Sequence, residues 1–520
     1  MSGYLRRLAT TGAAYTAASI LSKVIAVALL PLYTRYLTPE DYGAAEVLFA
    51  AVVTASIVVR FGLIEAILRF YYQEDEDQGE VVRSSFAGLF WLSTLGALVL
   101  LPFATPIAEA LLDPKTPAEA GRMAELTRIA IGGLWVLTMW EFMLTLFRLE
   151  ERARAYFATT LLNVLAAIGL TVVLVVGFED GARGLLVGSY GAGAVFVLGL
   201  IVWQHRRLSL RFDRALLRRL FRFGLPTMPA EVSLYLLNFV DRLIIVRSLG
   251  LAEAGLYSLA VKFAQAVNIL VRGFQLAWPP LAYSIRDDGE ARNTYAKVVT
   301  LFTAGCAFVV VGMWLFSRWI VRALADPKFF DAYKPIGLIS TAVTLYALYL
   351  VLVVILGRTG RTEFNFPAAI GALAANVALN LVLVPAMGIT GAGLALVLSY
   401  LVVLALMYVF TQRLFPVPYE WGRLLRVVLT VAVLVGVGEL LVATSGAAAL
   451  LIRVALVAAY PLLLFATGFF TEGERVFLAK LRHPGAVMAG LASLRAQPAV
   501  VDGTVPEVYE VERMDEDAHP

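Results

Sequence analysis

Long apolar runs constrain the fold of this chain more than any other feature of its sequence. A membrane-spanning α-helix needs about 20 mostly apolar residues. Charged residues make up 16% of the 520 positions, against about a quarter in a typical soluble domain. The sequence therefore predicts an all-α polytopic membrane protein. Its fourteen predicted spans are 10–36, 43–70, 82–111, 126–148, 155–178, 182–203, 223–247, 254–284, 297–322, 333–357, 363–384, 388–412, 424–443 and 449–470.

The lysines and arginines between the spans predict the orientation of the chain. Loops that follow even-numbered spans carry 20 of them, and loops that follow odd-numbered spans carry 7. Loops rich in Lys and Arg remain on the cytoplasmic side, so we expect both termini to be cytoplasmic. The apolar run after Arg6 and Arg7 continues to Tyr36 without a clear cleavage site. We interpret it as a membrane helix rather than a removed signal.

An internal repeat divides the chain into two similar halves. A shift of 212 positions aligns segment 35–43 with segment 247–255, and the same shift places Arg60 on Arg272. Parallel repeats of six spans are a known plan of transporters, with the substrate site between the halves. The predicted organisation is two pseudo-symmetric six-helix lobes followed by two further helices. Its parts are an N-terminal lobe (1–203), a basic cytoplasmic linker (204–222), a C-terminal lobe (223–412), the extra spans (413–470) and a cytoplasmic tail (471–520).

The linker and the tail have contrasting charges. Seven arginines lie in the linker, and its second part is predicted to form a short interfacial helix over 213–223. On that helix, an apolar face is expected to meet lipid. The tail ends in an acidic stretch, 502–520, that we expect to be disordered. The residues of the apolar face are Leu216, Leu217, Leu220 and Phe221.

Polar side chains form stripes along the spans that the repeat relates. Positions i, i+4, i+7 and i+11 share one face of a helix. In the seventh span Glu231, Tyr235, Asn238 and Arg242 have this spacing, and in the eighth span Gln265, Asn268, Arg272 and Gln275 lie on a similar arc. A charged group at the centre of a membrane helix costs about 2.5–3.5 kcal/mol or more. The stripes therefore predict a wet cavity between the halves.

The cavity is expected to be basic, because basic residues outnumber acidic ones in the four spans that the repeat relates. Guanidinium groups bind phosphate through paired hydrogen bonds. The candidate substrate-binding residues are Arg60, Arg272, Arg242, Lys262, Arg35, Gln265, Asn268, Asn238, Tyr235 and Lys23. The candidate ion-coupling carboxylates are Glu46, Glu65, Glu231 and Asp241.

Each of these charges has a structural alternative. Arg60 could pair with Glu46 or Glu65, and Glu231 with an arginine of another span. Arg35 and Arg247 lie near span ends, where long basic side chains reach the lipid headgroups. In those cases the charges hold the fold and bind no substrate.

Residue types that carry catalysis are scarce. The chain has a single cysteine, Cys306, and three histidines in polar segments, so no metal centre or other cofactor is expected. It contains no Gly-x-x-x-x-Gly-Lys-[Ser/Thr] loop for ATP phosphates. We expect a transporter rather than an enzyme, with protons or sodium ions as open alternatives for coupling.

Several motifs resemble one family of membrane proteins. Segment 30–43 (LPLYTRYLTPEDYG) looks like the first-span signature of the polysaccharide transporters, which include the O-antigen flippases. Gly224-Leu225-Pro226, Asp241-Arg242 and Gly255-Leu256-Tyr257-Ser258 are similar to that family as well. The family belongs to the multidrug/oligosaccharidyl-lipid/polysaccharide (MOP) exporter superfamily. The resemblance covers about residues 1–480.

This resemblance implies a function. Members of the family move undecaprenyl-diphosphate-linked oligosaccharides from the cytoplasmic to the outer leaflet by alternating access, in the cytoplasmic membrane of bacteria or archaea. The implied partners are the lipid-linked anionic oligosaccharide, membrane lipids, and polymerases and glycosyltransferases of polysaccharide synthesis, with no nucleic acid. The alternatives left open are a lipid II flippase, a multidrug or cation antiporter of the same superfamily, and a membrane glycosyltransferase or polymerase.

Overall fold

The computed structural model describes residues 25, 27–73, 77–226 and 228–475, and these contain helices but no β-strand. They form eighteen α-helices of seven or more residues. The helices are α1 (Leu30–Tyr36), α2 (Pro39–Arg60), α3 (Leu63–Phe70), α4 (Gln78–Leu100), α5 (Ala104–Leu112), α6 (Pro117–Leu149), α7 (Ala153–Val172), α8 (Gly181–Trp203), α9 (Arg214–Gly224), α10 (Met228–Leu249), α11 (Leu251–Ala264), α12 (Val267–Ser284), α13 (Asp288–Leu324), α14 (Tyr333–Arg358), α15 (Asn365–Met387), α16 (Ile389–Leu414), α17 (Trp421–Leu440) and α18 (Ala447–Ala466).

Ten segments of the described chain are long and apolar enough to cross a membrane. They match the second to sixth, ninth to twelfth and fourteenth predicted spans. The seventh predicted span coincides with α10, the eighth with α11 and α12, and the thirteenth with α17. None of these helices is among the ten segments. The first span lies mostly outside the described residues. The all-α membrane fold is confirmed, and the count of fourteen stays a prediction.

The second predicted span is not one continuous helix. Thr38 caps α2 by accepting a hydrogen bond from the Asp41 amide at 3.1 Å, but the helix ends at Arg60. Phe61 and Gly62 then have left-handed backbone, with φ of 47° and 71°. This conformation interrupts the helical hydrogen bonds and favours glycine. A Cβ atom on Gly62 would lie 2.0 Å from the Gly224 carbonyl oxygen, so only glycine allows this approach.

Helix α9 confirms the short helix predicted in the linker, but the predicted orientation is wrong. The apolar face that was expected to meet lipid packs instead against α3 and α4 of the first half. Leu216, Leu217 and Leu220 are buried there, and Phe221 packs edge-on against Phe61. The reason is that α3 and α4 present an apolar surface that the same leucines can cover. Arg214, Arg218 and Arg222 of α9 are consequently exposed.

Helices α2 and α11 cross at a reciprocal contact between two glycines. A Cβ atom on Gly43 would lie 2.0 Å from the Leu251 carbonyl oxygen, and one on Gly255 would lie 2.1 Å from the Pro39 carbonyl oxygen. Gly43 and Gly255 are 212 positions apart in the sequence, as are Pro39 and Leu251. A two-fold axis between the helices produces contacts of this kind, in which each side repeats the other. The shift found in the sequence is therefore present in the structure at this crossing.

The last two helices pack on α13. Arg453 of α18 is fully buried and donates to the Glu439 carboxylate of α17 at 2.6 Å and to the Leu315 carbonyl of α13 at 3.1 Å. Its guanidinium also lies 4.9 Å from the Trp319 ring centroid. One arginine thus ties three helices together.

Alanine at Gly43 or Gly255 is expected to destabilise the protein, because each new methyl group would meet a backbone carbonyl that cannot move away cheaply. Overpacking of this kind costs about 1–3 kcal/mol. The apparent melting temperature in detergent measures the effect. Gly132→Ala and Gly273→Ala are the controls, since a Cβ atom there meets nothing within 4 Å, and alanine favours a helix over glycine. Equal melting temperatures for all four variants would contradict the close crossing.

Candidate functional site

A polar cavity of about 240 Å³ lies between α2 and α10. Helix α2 contributes Glu46 and Thr54, and α10 contributes Tyr235 and Arg242. Three of these four are residues that the sequence predicted for the site. Glu46 of the second predicted span therefore lines one cavity with Tyr235 and Arg242 of the seventh-span stripe.

An ion pair joins the two halves beside this cavity. The Lys262 ammonium of α11 lies 2.5 Å from a Glu46 carboxylate oxygen of α2. It also lies 5.1 Å from the centroid of the Tyr42 ring, which adds a cation–π contact. Glu46 is largely buried, so the pair stabilises a carboxylate that would otherwise be unfavourable in the membrane.

The carboxylate of Asp241 lies on the other side of α10, in a buried polar cluster. It accepts hydrogen bonds from the Tyr257 hydroxyl at 3.0 Å and from the Asn380 side-chain amide at 2.7 Å. In the described part of the chain, the side-chain oxygens of Asn376 and Asn380 are buried and have no hydrogen-bond donor. Four oxygen-bearing side chains therefore converge, and two of their amide oxygens are unsatisfied.

Arg60 is held by two carboxylates at the end of α2. Its guanidinium contacts Glu141 of α6 and lies 3.5 Å from Glu231 of α10. The alternative in which Arg60 pairs with Glu46 or Glu65 is wrong, because Glu46 pairs with Lys262 and the Arg60 guanidinium is occupied by Glu141 and Glu231. The alternative in which Glu231 pairs with an arginine of another span is confirmed. Arg60 thus links α10 to both α2 and α6.

Arg272 differs from Arg60 in its surroundings. It is exposed on α12, and none of the hydrogen bonds or ion pairs among the described residues involves it. It is close enough to the Tyr346 hydroxyl for an electrostatic interaction, and Tyr346 interacts with Tyr235 in the same way. The neighbouring Asn268 donates a hydrogen bond to Gln265. Arg60 and Arg272, which the sequence relates by symmetry, share no partner in the described structure.

The remaining predicted site residues lie in different parts of the structure. Arg242 donates from Nε to the Ser258 hydroxyl at 3.1 Å. Arg35 is exposed at the end of α1, where its carbonyl accepts a hydrogen bond from Lys328. Glu65 is half-buried and electrostatically close to Glu231. Lys23 and the side chain of Asn238 lie outside the described part of the structure.

A second cavity, of about 670 Å³, is almost entirely apolar. Residues of α13, α14, α16 and α17 line it, among them Leu345, Leu348, Leu404 and Val428. A cavity with such walls suits a hydrocarbon chain. The sequence did not predict it, since apolar residues on four helices look the same whether they face a cavity or pack in a core.

Sequence reasoning missed three polar residues of the site. Glu141, Asn376 and Asn380 each lie inside an apolar run, and a polar group at that depth is a signal of function or pairing. This signal would have identified all three. No group of three or more His, Cys, Asp or Glu side chains suited to a metal ion occurs among the described residues.

The fold is similar to those of solved membrane transporters. It superposes with a TM-score of 0.70 on a structure of the lipid II flippase MurJ in an inward closed conformation, over 89% of this chain and 100% of that one, at 11% sequence identity. It superposes with a TM-score of 0.64 on an inward-facing multidrug transporter of the MATE family of the MOP superfamily, over 75% of this chain and 94% of that one, at 15% identity. At identities this low, the superpositions show a common fold and no more.

Residues 32–331 match the family described as polysaccharide biosynthesis protein, and the chain belongs to this family. The succinoglycan biosynthesis transport protein ExoT of Rhizobium meliloti (strain 1021) is 26% identical over 330 residues, which cover 62% of this chain. The match spans 64% of ExoT, slightly less than two thirds of its length. The resemblance drawn from the motifs is confirmed. ExoT is named as a transport protein and MurJ as a flippase, and neither is named as an enzyme.

Replacing Arg60 with methionine is expected to destabilise the protein by about 1–3 kcal/mol, because two carboxylates lose their counter-ion. The estimate lies below that for a fully buried pair because the Glu141 and Glu231 side chains are 34% and 32% exposed. Adding Glu141→Gln should recover part of the loss. Melting temperatures of the single and double variants measure this coupling.

Glu109→Gln in the same background is the matched control, since this glutamate is exposed on α5 and belongs to none of the described ion pairs. An Arg60→Met variant that melts at the wild-type temperature would contradict the bridging role.

Proposed function

We propose that this protein moves an anionic, lipid-linked oligosaccharide from the cytoplasmic to the outer leaflet by alternating access, for the synthesis of a surface polysaccharide. Membership of the polysaccharide biosynthesis protein family supports the pathway. The flippase and transporter folds that the chain shares support the mode of action.

The observation that carries this proposal is a polar cavity with a closed contact at each end of α2. Gly43 packs on α11 near the start of the helix, and Arg60 pairs with Glu231 at its end. The two contacts are 17 residues apart, or about 26 Å along a helix. Glu46 and Thr54, which line the cavity, lie between them. Opening one contact while the other stays closed would expose the cavity to one side of the membrane at a time.

Basic side chains near this cavity are suited to a phosphate group. Arg272 is the strongest candidate, because it is exposed and has no carboxylate partner among the described residues. Arg242 and Lys262 border the same region, with Tyr235, Gln265 and Asn268 as further contacts. Arg60 would first have to release Glu141 or Glu231. An anion that draws Arg60 away from Glu231 would thereby favour opening at that end, provided that it binds the open state better.

The apolar cavity supports a lipid-linked substrate. Its walls offer hydrocarbon contacts beside the second half, while the phosphate and the sugar occupy polar surroundings. A substrate with one apolar and one anionic part fits both environments.

The Asp241 cluster is our proposed coupling site. A carboxylate, a tyrosine hydroxyl and two asparagine side chains provide oxygen ligands of the kind that a hard cation such as sodium prefers. A proton on Asp241 would serve the same purpose. Because the cluster connects α10, α11 and α15, its occupancy would bias how α10 sits against α2.

Arg272→Ala is expected to reduce transport at least about tenfold without changing the melting temperature, because the side chain is exposed but binds the headgroup. Arg272→Lys should retain intermediate activity, since lysine keeps the charge and loses the paired hydrogen bonds. The assay follows a fluorescent lipid-diphosphate sugar between the leaflets of proteoliposomes. Arg128→Ala, an exposed arginine on α6, is the control. Wild-type transport by Arg272→Ala would remove this residue from the site, and transport of cationic drugs alone would contradict the proposed substrate class.

Asp241→Asn is expected to uncouple transport, because the amide keeps the size of the side chain and removes its charge. For the wild type, replacing choline with sodium should raise the melting temperature if sodium binds the folded state, or a proton gradient should raise the transport rate. The variant should lose whichever response the wild type shows. Asp331→Asn, at an exposed pair with Lys334, is the control. A variant with the full wild-type response would exclude Asp241 as the coupling group.

A further inference from the structure

The linker presents a basic surface that is accessible from outside the protein. On α9 the leucines face the protein, and Arg214, Arg218 and Arg222 are exposed. Just before the helix, Arg206 and Arg211 are exposed as well. Over 204–222 the sequence has seven arginines and one aspartate, a net charge of +6 with histidine neutral. We call this surface the basic face.

A segment of opposite charge occurs later in the same chain. Residues 502–517 contain seven acidic side chains and one arginine, a net charge of −6. This segment lies outside the described residues. The acidic side chains are Asp502, Glu507, Glu510, Glu512, Asp515, Glu516 and Asp517.

We expect the basic face and the start of the tail to lie on the same side of the membrane. The linker is separated from α17 by six of the predicted spans, which correspond to α10 to α16 with α11 and α12 taken as one. Two further predicted spans, α17 and α18, precede Thr471, so eight predicted crossings would return the chain to the side of the linker. Near that point Arg423 of α17 pairs with Glu474 at 2.7 Å, which fixes where the described chain ends.

The tail is long enough to reach the basic face. Between Arg475 and Asp502 lie 26 residues, with a typical end-to-end distance of about 30 Å for a flexible chain and a maximum of about 90 Å. Packed helices are about 8–10 Å apart, so 30 Å corresponds to roughly three helices. Attachment to the same chain raises the effective concentration of the acidic segment into the millimolar range.

We propose that the acidic segment 502–517 docks on the basic face of the linker. Three points support it: opposite local charges, with Arg207 of the linker already paired with Glu150, the expected shared side of the membrane, and sufficient reach. Anionic lipid headgroups are the competing occupant, but they act only where the leaflet contains them, whereas the tail is always present. The docked tail would shield the basic face from these headgroups. Because α9 touches the break between α2 and α3 through Gly224, docking would also restrain the linker during transport.

Distances between two spin labels in the full-length protein test this proposal. The labels are placed at Ala215→Cys, which is exposed on α9, and at Val508→Cys, in a Cys306→Ser background that removes the single native thiol. The protein is reconstituted in nanodiscs of zwitterionic lipid at low salt. We expect a short-distance population that disappears at about 1 M salt, where the screening length falls to about 3 Å.

Charge variants identify the contact. Neutralising the seven acidic residues (D502N, E507Q, E510Q, E512Q, D515N, E516Q and D517N) should abolish the short-distance population without touching the described structure. The triple linker variant R214E, R218E and R222E brings the net charge of 204–222 from +6 to zero and should abolish it too. The proposal is wrong if the short distances are absent from the unsubstituted protein, or persist after neutralisation. It is equally wrong if the triple linker variant weakens only the binding of anionic vesicles, since the basic face is then a lipid site.

Discussion

Charged side chains inside the membrane need partners of opposite charge, because the hydrocarbon interior provides no water to solvate them. In this protein those partners come from other helices. Lys262 reaches Glu46 across the two halves, Arg60 reaches Glu231 in the same way, and Arg453 ties the last two helices to α13. The ion pairs therefore connect helices of both halves, while apolar contacts fill the space around them.

A transporter has to break some of its contacts in each cycle, and the contacts at the two ends of α2 differ in kind. Near Gly43 and Gly255 the backbones touch directly. At Arg60 the contact is ionic, with the two carboxylates 34% and 32% exposed, and Glu141 would remain as a partner if Glu231 left. An arginine with two carboxylates can exchange one without becoming unpaired, which lowers the free energy needed to open that end. The Asp241 cluster lies on the same helix α10 as Glu231, so binding there and movement at Glu231 would act on one element.

Much of the candidate site could be predicted from the sequence because helical spacing is a local property. Glu46, Tyr235 and Arg242 were selected by their positions on two helices, and they line one cavity. The excess of basic over acidic residues near the site was overestimated. Charges were compared only in the four spans that the repeat relates, and Glu141 lies in the fourth predicted span, outside that set. The lipid-facing role of Leu216 was wrong because a periodic pattern shows that a helix has an apolar face but not what covers it.

The sequence by itself determined the all-α membrane architecture, the family and the 212-residue repeat. These follow from apolar run lengths, local motifs and internal similarity, none of which depends on distant contacts. Only the tertiary structure decided that α2 ends at Arg60, before the left-handed Phe61 and Gly62, and that the backbone of Gly224 packs directly against Gly62. It also decided the partners of Arg60, which lie 81 and 171 positions away along the chain. Each carboxylate within a membrane is an acceptable partner for an arginine by charge alone, and helix packing selects the ones that can be reached.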